Sequence, residues 1–135
     1  MSSMGTARQK WQIPSRHDAK ADRKREAEAL ERAVFAAVDA RDKRICRCCG
    51  HRSNIDGVGL LDRGHRHHIT YRSKGGAMSQ VNICLLCADC HAEVHHKRLD
   101  VRGNAEEALS FWRRDEAGAW YCVRQEVAPH VVDRD

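Results

Sequence analysis

The sequence predicts a small α+β domain held together by bound metal more than by a large apolar core. Three observations carry this. Two Cys-x2-Cys pairs occur, a long charged stretch with helical periodicity precedes them, and a short aromatic segment around "DEAG" follows. At 135 residues the chain supports one small domain plus arms. Aromatic residues make up 5% and charged residues 32%, so apolar burial alone makes a thin core and a staple is needed. Seven cysteines can supply one. No stretch approaches the roughly 20 apolar residues of a membrane span, and no apolar run follows the N-terminal charges. No membrane association and a cytoplasmic location are therefore expected. In a reducing compartment, paired cysteines point to metal before disulfide.

The net charge of +5 is uneven: residues 1–44 carry +4, residues 45–100 carry +3 and residues 101–135 carry −2. A basic front with an acidic tail suits a polyanion, nucleic acid first, although a solvated helix face explains the same charges. Residues 1–14 read as a flexible basic leader. Ser15 followed by Asp18 is a capping-box-like start after Pro14. From there one helix is expected over 15–44. Ala27, Leu30, Val34 and Val38, with Phe35 beside them, should pack one side of its second half.

Residues 45–100 form the expected core. "CRCCGHRSN" reads as a tight knuckle in which Gly50 takes a positive φ. "GVGLLDRGHRHHITY" reads as a short strand and turn, "RSKGGAMSQ" as a loop, and "VNICLLC" as a short connection into a helix near Ala88 or Asp89. Residues 101–135 read as a hairpin and tail. Phe111, Trp112, Trp120 and Tyr121 flank a "DEAG" turn, and the hairpin is expected to cover the core as a flap.

Cys46/Cys49 and Cys87/Cys90 each have the spacing with which a turn presents two thiolates to one tetrahedral ion, so together they make a four-cysteine structural zinc site. The 37 residues between the pairs require an inserted unit. Cys48 and Cys84 are possible substitute ligands. The plainer reading of Cys48, Cys84 and Cys122 is that they are small apolar side chains. His91 and His95 lie four apart on a helix, on one face and one turn apart, so both can address one ion.

Taken in order, "HHI" (His67, His68, Ile69), "SKGG", Asn82, "LCADCH" ending in His91, and then His95 resemble the HNH endonucleases. These are the ββα-metal, or His-Me finger, nucleases. The resemblance covers residues 46–98, and the framing cysteine pairs resemble the zinc-stapled branch of that family. It implies a ββα-metal core and a metal-dependent DNA endonuclease leaving 3′-hydroxyl and 5′-phosphate ends. His68 would then be the general base, with Asn82 holding its ring through the side-chain carbonyl. His67, His91 and His95 would bind one divalent cation. An all-histidine set favours Mn²⁺, Ni²⁺ or Zn²⁺ over Mg²⁺. Arg63, Arg66, Arg72 and Lys74 would contact DNA phosphates. His65 would replace a ligand, line the cleft or touch phosphate. In a regular strand His68 points away from His65 and His67, so the backbone must turn or end there.

By resemblance the setting is a bacterial cell, and the role is either phage DNA packaging, with a phage terminase as the expected partner, or a restriction or mobile-element system. A homodimer through the N-terminal helix is the alternative to that helix lying along DNA. Two further functions compete: a zinc-binding DNA module without catalysis, and a redox switch built on Cys46 and Cys49.

Overall fold

The computed structural model describes residues 13, 15–53 and 64–127. The expected leader, apart from residue 13, and the segment containing Arg63 lie outside them, as does the end of the tail. The chain divides into two units, Met1–Arg32 and Ala33–Asp135.

Helix α1 spans Arg16–Asp42. Its start is the expected capping-box-like pair: the Asp18 N–H donates to Ser15 Oγ at 3.1 Å, and Ser15 Oγ donates to Asp18 Oδ2 at 2.9 Å. In the first unit the helix is polar and pairs part of its own charge, Lys24 with Glu28 and Arg25 with Asp22. Ala27 and Leu30 stay exposed there, so the expected apolar stripe begins only at Val34.

In the second unit, Val34 and Val38 bury against Ile83, with Phe35 and Met78 beside them. The helix ends at Asp42, two residues before the expected Arg44, because Lys43 and Arg44 turn to φ 52° and 58°. The knuckle follows. The Cys46 N–H donates to the His51 carbonyl at 2.8 Å, and Ile45 bridges Arg52. Gly50 has the expected positive φ, 81°.

Two antiparallel sheets flank a short helix. Strand β1 (His65–His68) pairs with β2 (Ile83–Leu86), His65 opposite Leu86 and His68 opposite Ile83. All four residues of β2 are buried, which explains why "ICLL" is a strand and not the expected connection. Helix α2 (Ala88–His95) starts where expected. Strand β3 (Leu99–Asn104), which the sequence reading omits, joins β4 (Ala108–Arg114) and β5 (Trp120–Gln125) in the order β3-β4-β5. The turn at Asp115–Gly118 is the expected one. The hairpin is more than a flap: Leu109 and Phe111 are fully buried beside the cysteines, Val94 and Leu99.

A buried ionic knot ties these parts together. Arg47 donates to Glu126 (Nε to Oε2, 2.9 Å), to Asp42 Oδ1 (3.2 Å) and to the Ala105 carbonyl (2.7 Å). Asp42 also accepts from the Leu85 N–H at 3.0 Å, and Glu126 from the Leu109 N–H at 2.9 Å. Removing one partner strands a buried charge. Arg47→Ala is therefore expected to destabilise the protein by about 3–5 kcal/mol, read from urea unfolding. A loss below about 1 kcal/mol, the scale of an exposed pair, contradicts this reading.

Candidate metal centre and active site

The knuckle and the start of α2 bring four thiols together. The Cys49 N–H points at Cys46 Sγ (3.5 Å), and the Cys90 N–H points at Cys87 Sγ (3.4 Å), so the two Cys-x2-Cys turns share one hydrogen-bond pattern. Cys49 Sγ and Cys87 Sγ are 3.6 Å apart, and all four Sγ atoms lie within 4.8 Å of one another. Thiolates tetrahedral around zinc at about 2.3 Å are separated by about 3.8 Å, so the cluster could hold a structural metal such as zinc. Its hydrogen bond with Cys90, then burial, pushes the Cys46 thiol up to about 12; burial raises Cys87 to about 11. An incoming cation therefore displaces protons from these thiols.

Cys48 and Cys84 fall outside this set of four. Cys84 is fully buried in β2 and its thiol is pushed up by burial, so it behaves as an apolar side chain. Cys48 is half-buried against the same core, and Cys122 is exposed on β5.

The other face of α2 carries the histidines. Strand alternation turns His65 and His67 towards α2 and Arg66 towards α1. The His91 ring centroid lies 4.8 Å from that of His65, 5.7 Å from His67 and 4.5 Å from His95. His91 Nε2 and His95 Nε2 are 3.2 Å apart. Two imidazole nitrogens on one ion at about 2.0–2.1 Å and tetrahedral angles are about 3.3 Å apart, so this pair fits a shared cation. His67 is closely packed, 4% exposed. The three rings are adjacent, but their ligand atoms do not reach the mutual spacing of the cysteines.

Residues 46–98 match the family model for HNH endonucleases. Over this segment the chain is similar to an HNH endonuclease domain. Comparison with the curated proteins and with the solved structures returns no match. Within the described residues no helix is long and apolar enough to cross a membrane.

In this segment the Asn82 side chain bonds to the loop that follows His68. Its side-chain carbonyl accepts from the Thr70 N–H (2.8 Å), and its amide donates to the Thr70 and Ala77 carbonyls (both 3.0 Å). It thereby clamps the loop that leaves His68, fixing the backbone and not the ring. The Ile69 N–H to Asn82 carbonyl bond, 2.8 Å, closes the same clamp. The loop also needs Gly76, where a Cβ would stand 1.8 Å from the Thr70 oxygen.

His68 ends β1 on the side opposite His67, half-buried, with its Nε2 facing Arg72 Nε at 3.4 Å. Arg66 is paired within the fold. Its guanidinium is held by Asp39 (Nε to Oδ1, 3.0 Å) and lies 5.1 Å from the Phe35 ring centroid, so it ties β1 to α1 instead of presenting a free charge to DNA. Arg72 and Lys74 sit together in the exposed 3₁₀ turn Arg72–Lys74, and Arg63 is outside the described residues.

Burial, with the charges of His91 and His95 behind it, lowers His67 to about 4; burial and then the charge of His65 lower His91 to about 4. Both imidazoles are neutral at pH 7, as ligands must be. The folded values lie below the ordinary 6.5. Between pH 6.5 and 4 the unfolded chain therefore binds protons that the native state does not. Stability is fully present above pH 6.5 and is lost as pH falls to 4. For His67 alone the loss is about 3 kcal/mol. Acid also strips the cysteine site, so the readout is the stability difference between wild type and His67→Leu. Wild type should lose ground across this window, and parallel curves contradict the assignment.

Proposed function

We propose that the chain is a metal-dependent DNA endonuclease that hydrolyses phosphodiesters to 3′-hydroxyl and 5′-phosphate ends. The observation that carries this reading is the His91–His95 pair beside buried His67, inside a segment that matches the HNH endonucleases. His67, His91 and His95 would hold one divalent cation, and the chemistry of three neutral imidazoles favours Mn²⁺, Ni²⁺ or Zn²⁺ over Mg²⁺. When bound, that ion would supply positive charge at the scissile phosphate and at the departing 3′ oxygen.

The protein's own groups do the remaining work. His68 takes a proton from water, the water oxygen bonds to phosphorus, and the bond to the 3′ oxygen breaks. An in-line displacement has its attacking and leaving oxygens on opposite sides of phosphorus. The placement of His68 across β1 from His67 suits that geometry. Asn82 keeps the backbone beyond His68 in place, so its role is positioning. Arg72 and Lys74 would meet the phosphate backbone, and Arg72 would then exchange its long contact with His68 for a phosphate oxygen. The cysteine cluster would hold zinc and set α2, which carries two of the three histidine ligands.

The test is supercoiled plasmid incubated with zinc-replete protein and Mg²⁺, Mn²⁺ or Ni²⁺, followed by analysis of the ends. Nicks that a ligase reseals directly show 3′-hydroxyl and 5′-phosphate. Plasmid that is bound but left intact with every metal would mean a zinc-binding DNA module without catalysis.

A further inference from the structure

Strand β1 delivers two histidines to α2, and the geometry distinguishes their tasks. An imidazole binds a metal through a lone pair in its own ring plane, so two rings on one ion must have planes that meet at that ion. The planes of His91 and His95 cross at 82°, with their Nε2 atoms 3.2 Å apart, and those of His67 and His91 cross at 69°. His65 is different. Its ring stacks on His91 at 24°, with centroids 4.8 Å apart. The pair is stacked, so the rings present faces to each other while their in-plane lone pairs lie in offset planes, and His65 does not aim a nitrogen at an ion held by His91 in this arrangement. It covers one face of the His91 ring instead.

The stack follows from register. His65 lies opposite Leu86 and His67 opposite Cys84, both partners fully buried in β2. A slip by one residue would turn both histidines away from α2 and bury Arg66 in their place, so the core itself fixes the pairing. His65 is therefore delivered to His91 as reliably as His67 is.

We propose that His65 is a positioning residue whose ring, stacked on His91, holds His91 in the orientation that lets it share a cation with His95 and His67. This rests on the endonuclease reading above. The stack needs a flat ring and no nitrogen, so phenylalanine should replace His65 and alanine should not.

The experiment is calorimetric titration of Ni²⁺ into zinc-replete full-length wild type, His65→Phe and His65→Ala, with plasmid cleavage measured on the same samples. Wild type should bind one further ion beyond the zinc. His65→Ala should bind it more weakly by about 10-fold or more, the usual effect of removing a group that orients a ligand. His65→Phe should stay close to wild type and should also fold, keeping the test decisive if the alanine variant does not. The proposal is overturned if His65→Phe falls as far as His65→Ala, which would make the nitrogen essential, or if His65→Ala binds like wild type. A wild type that binds the second ion but cuts nothing overturns the endonuclease reading, while the affinities still judge His65. A wild type that binds no second ion overturns both.

Discussion

Cys87→Ser is expected to lose bound zinc and unfold the domain around it in a single step. Cys87 does two jobs. Its thiol is one of four within 4.8 Å, and its Sγ caps α2 by accepting from the Cys90 N–H. Among the described residues the buried apolar groups around the cluster are few: Val94, Leu99, Val101, Ala105, Leu109 and Phe111, with Cys84 and Leu86 in β2. Zinc sites of this kind contribute on the order of 10 kcal/mol of folding free energy, comparable to the whole stability of a small domain. A serine hydroxyl is a poor zinc ligand at neutral pH, so most of that stabilisation disappears. Zinc content and far-ultraviolet dichroism on the purified variant read the effect. His91→Ala is the control: it should retain zinc and fold, because His91 lies on the other face of α2. A Cys87→Ser protein that melts like wild type would remove the structural role assigned to the cluster.

His68→Ala is expected to lower the cleavage rate by about 10²–10⁴-fold, the usual effect of a general base. Folding and plasmid binding should be little changed. His68 is half-buried at the end of β1, and its removal leaves His67, His91 and the Asn82 clamp in place. The loss should fall on kcat and not on KM, because the base acts only as the water is deprotonated. Equal losses in both constants, or a variant that cuts at the wild-type rate, would transfer the base to another group. Arg72, which faces His68 Nε2, separates the two terms: its removal should chiefly raise KM.

Much of this site is legible in the sequence, for identifiable reasons. Cys46, Cys49, Cys87 and Cys90 declare themselves because a Cys-x2-Cys turn is local chemistry, and the same holds for Gly50 and for the Asp115–Gly118 turn. His91 and His95 follow from helical spacing. What stays hidden depends on pairing between distant residues. Four apolar residues in "ICLL" carry no periodicity that separates strand from connection, and β3 is interrupted by polar residues and Gly103. The Arg47–Glu126 bond spans 79 positions and has no sequence signature. Asn82 has the right spacing for the family pattern, yet only the folded loop shows that its partners are Thr70 and Ala77. The Arg66–Asp39 pair, 27 positions apart, has no sequence signature either. His65 acquires a role only once strand register is known.

We propose two metal sites for residues 46–98, the cysteines for the fold and the histidines for phosphodiester hydrolysis. This is tested most directly by adding Mn²⁺ stepwise to zinc-replete wild type while following, in one sample, ion binding and the nicking of supercoiled plasmid. The prediction is one further ion per chain, with nicking rising in proportion to its occupancy. Nicking at full rate with zinc in the cysteines alone, or no nicking when the second site is full, would contradict it.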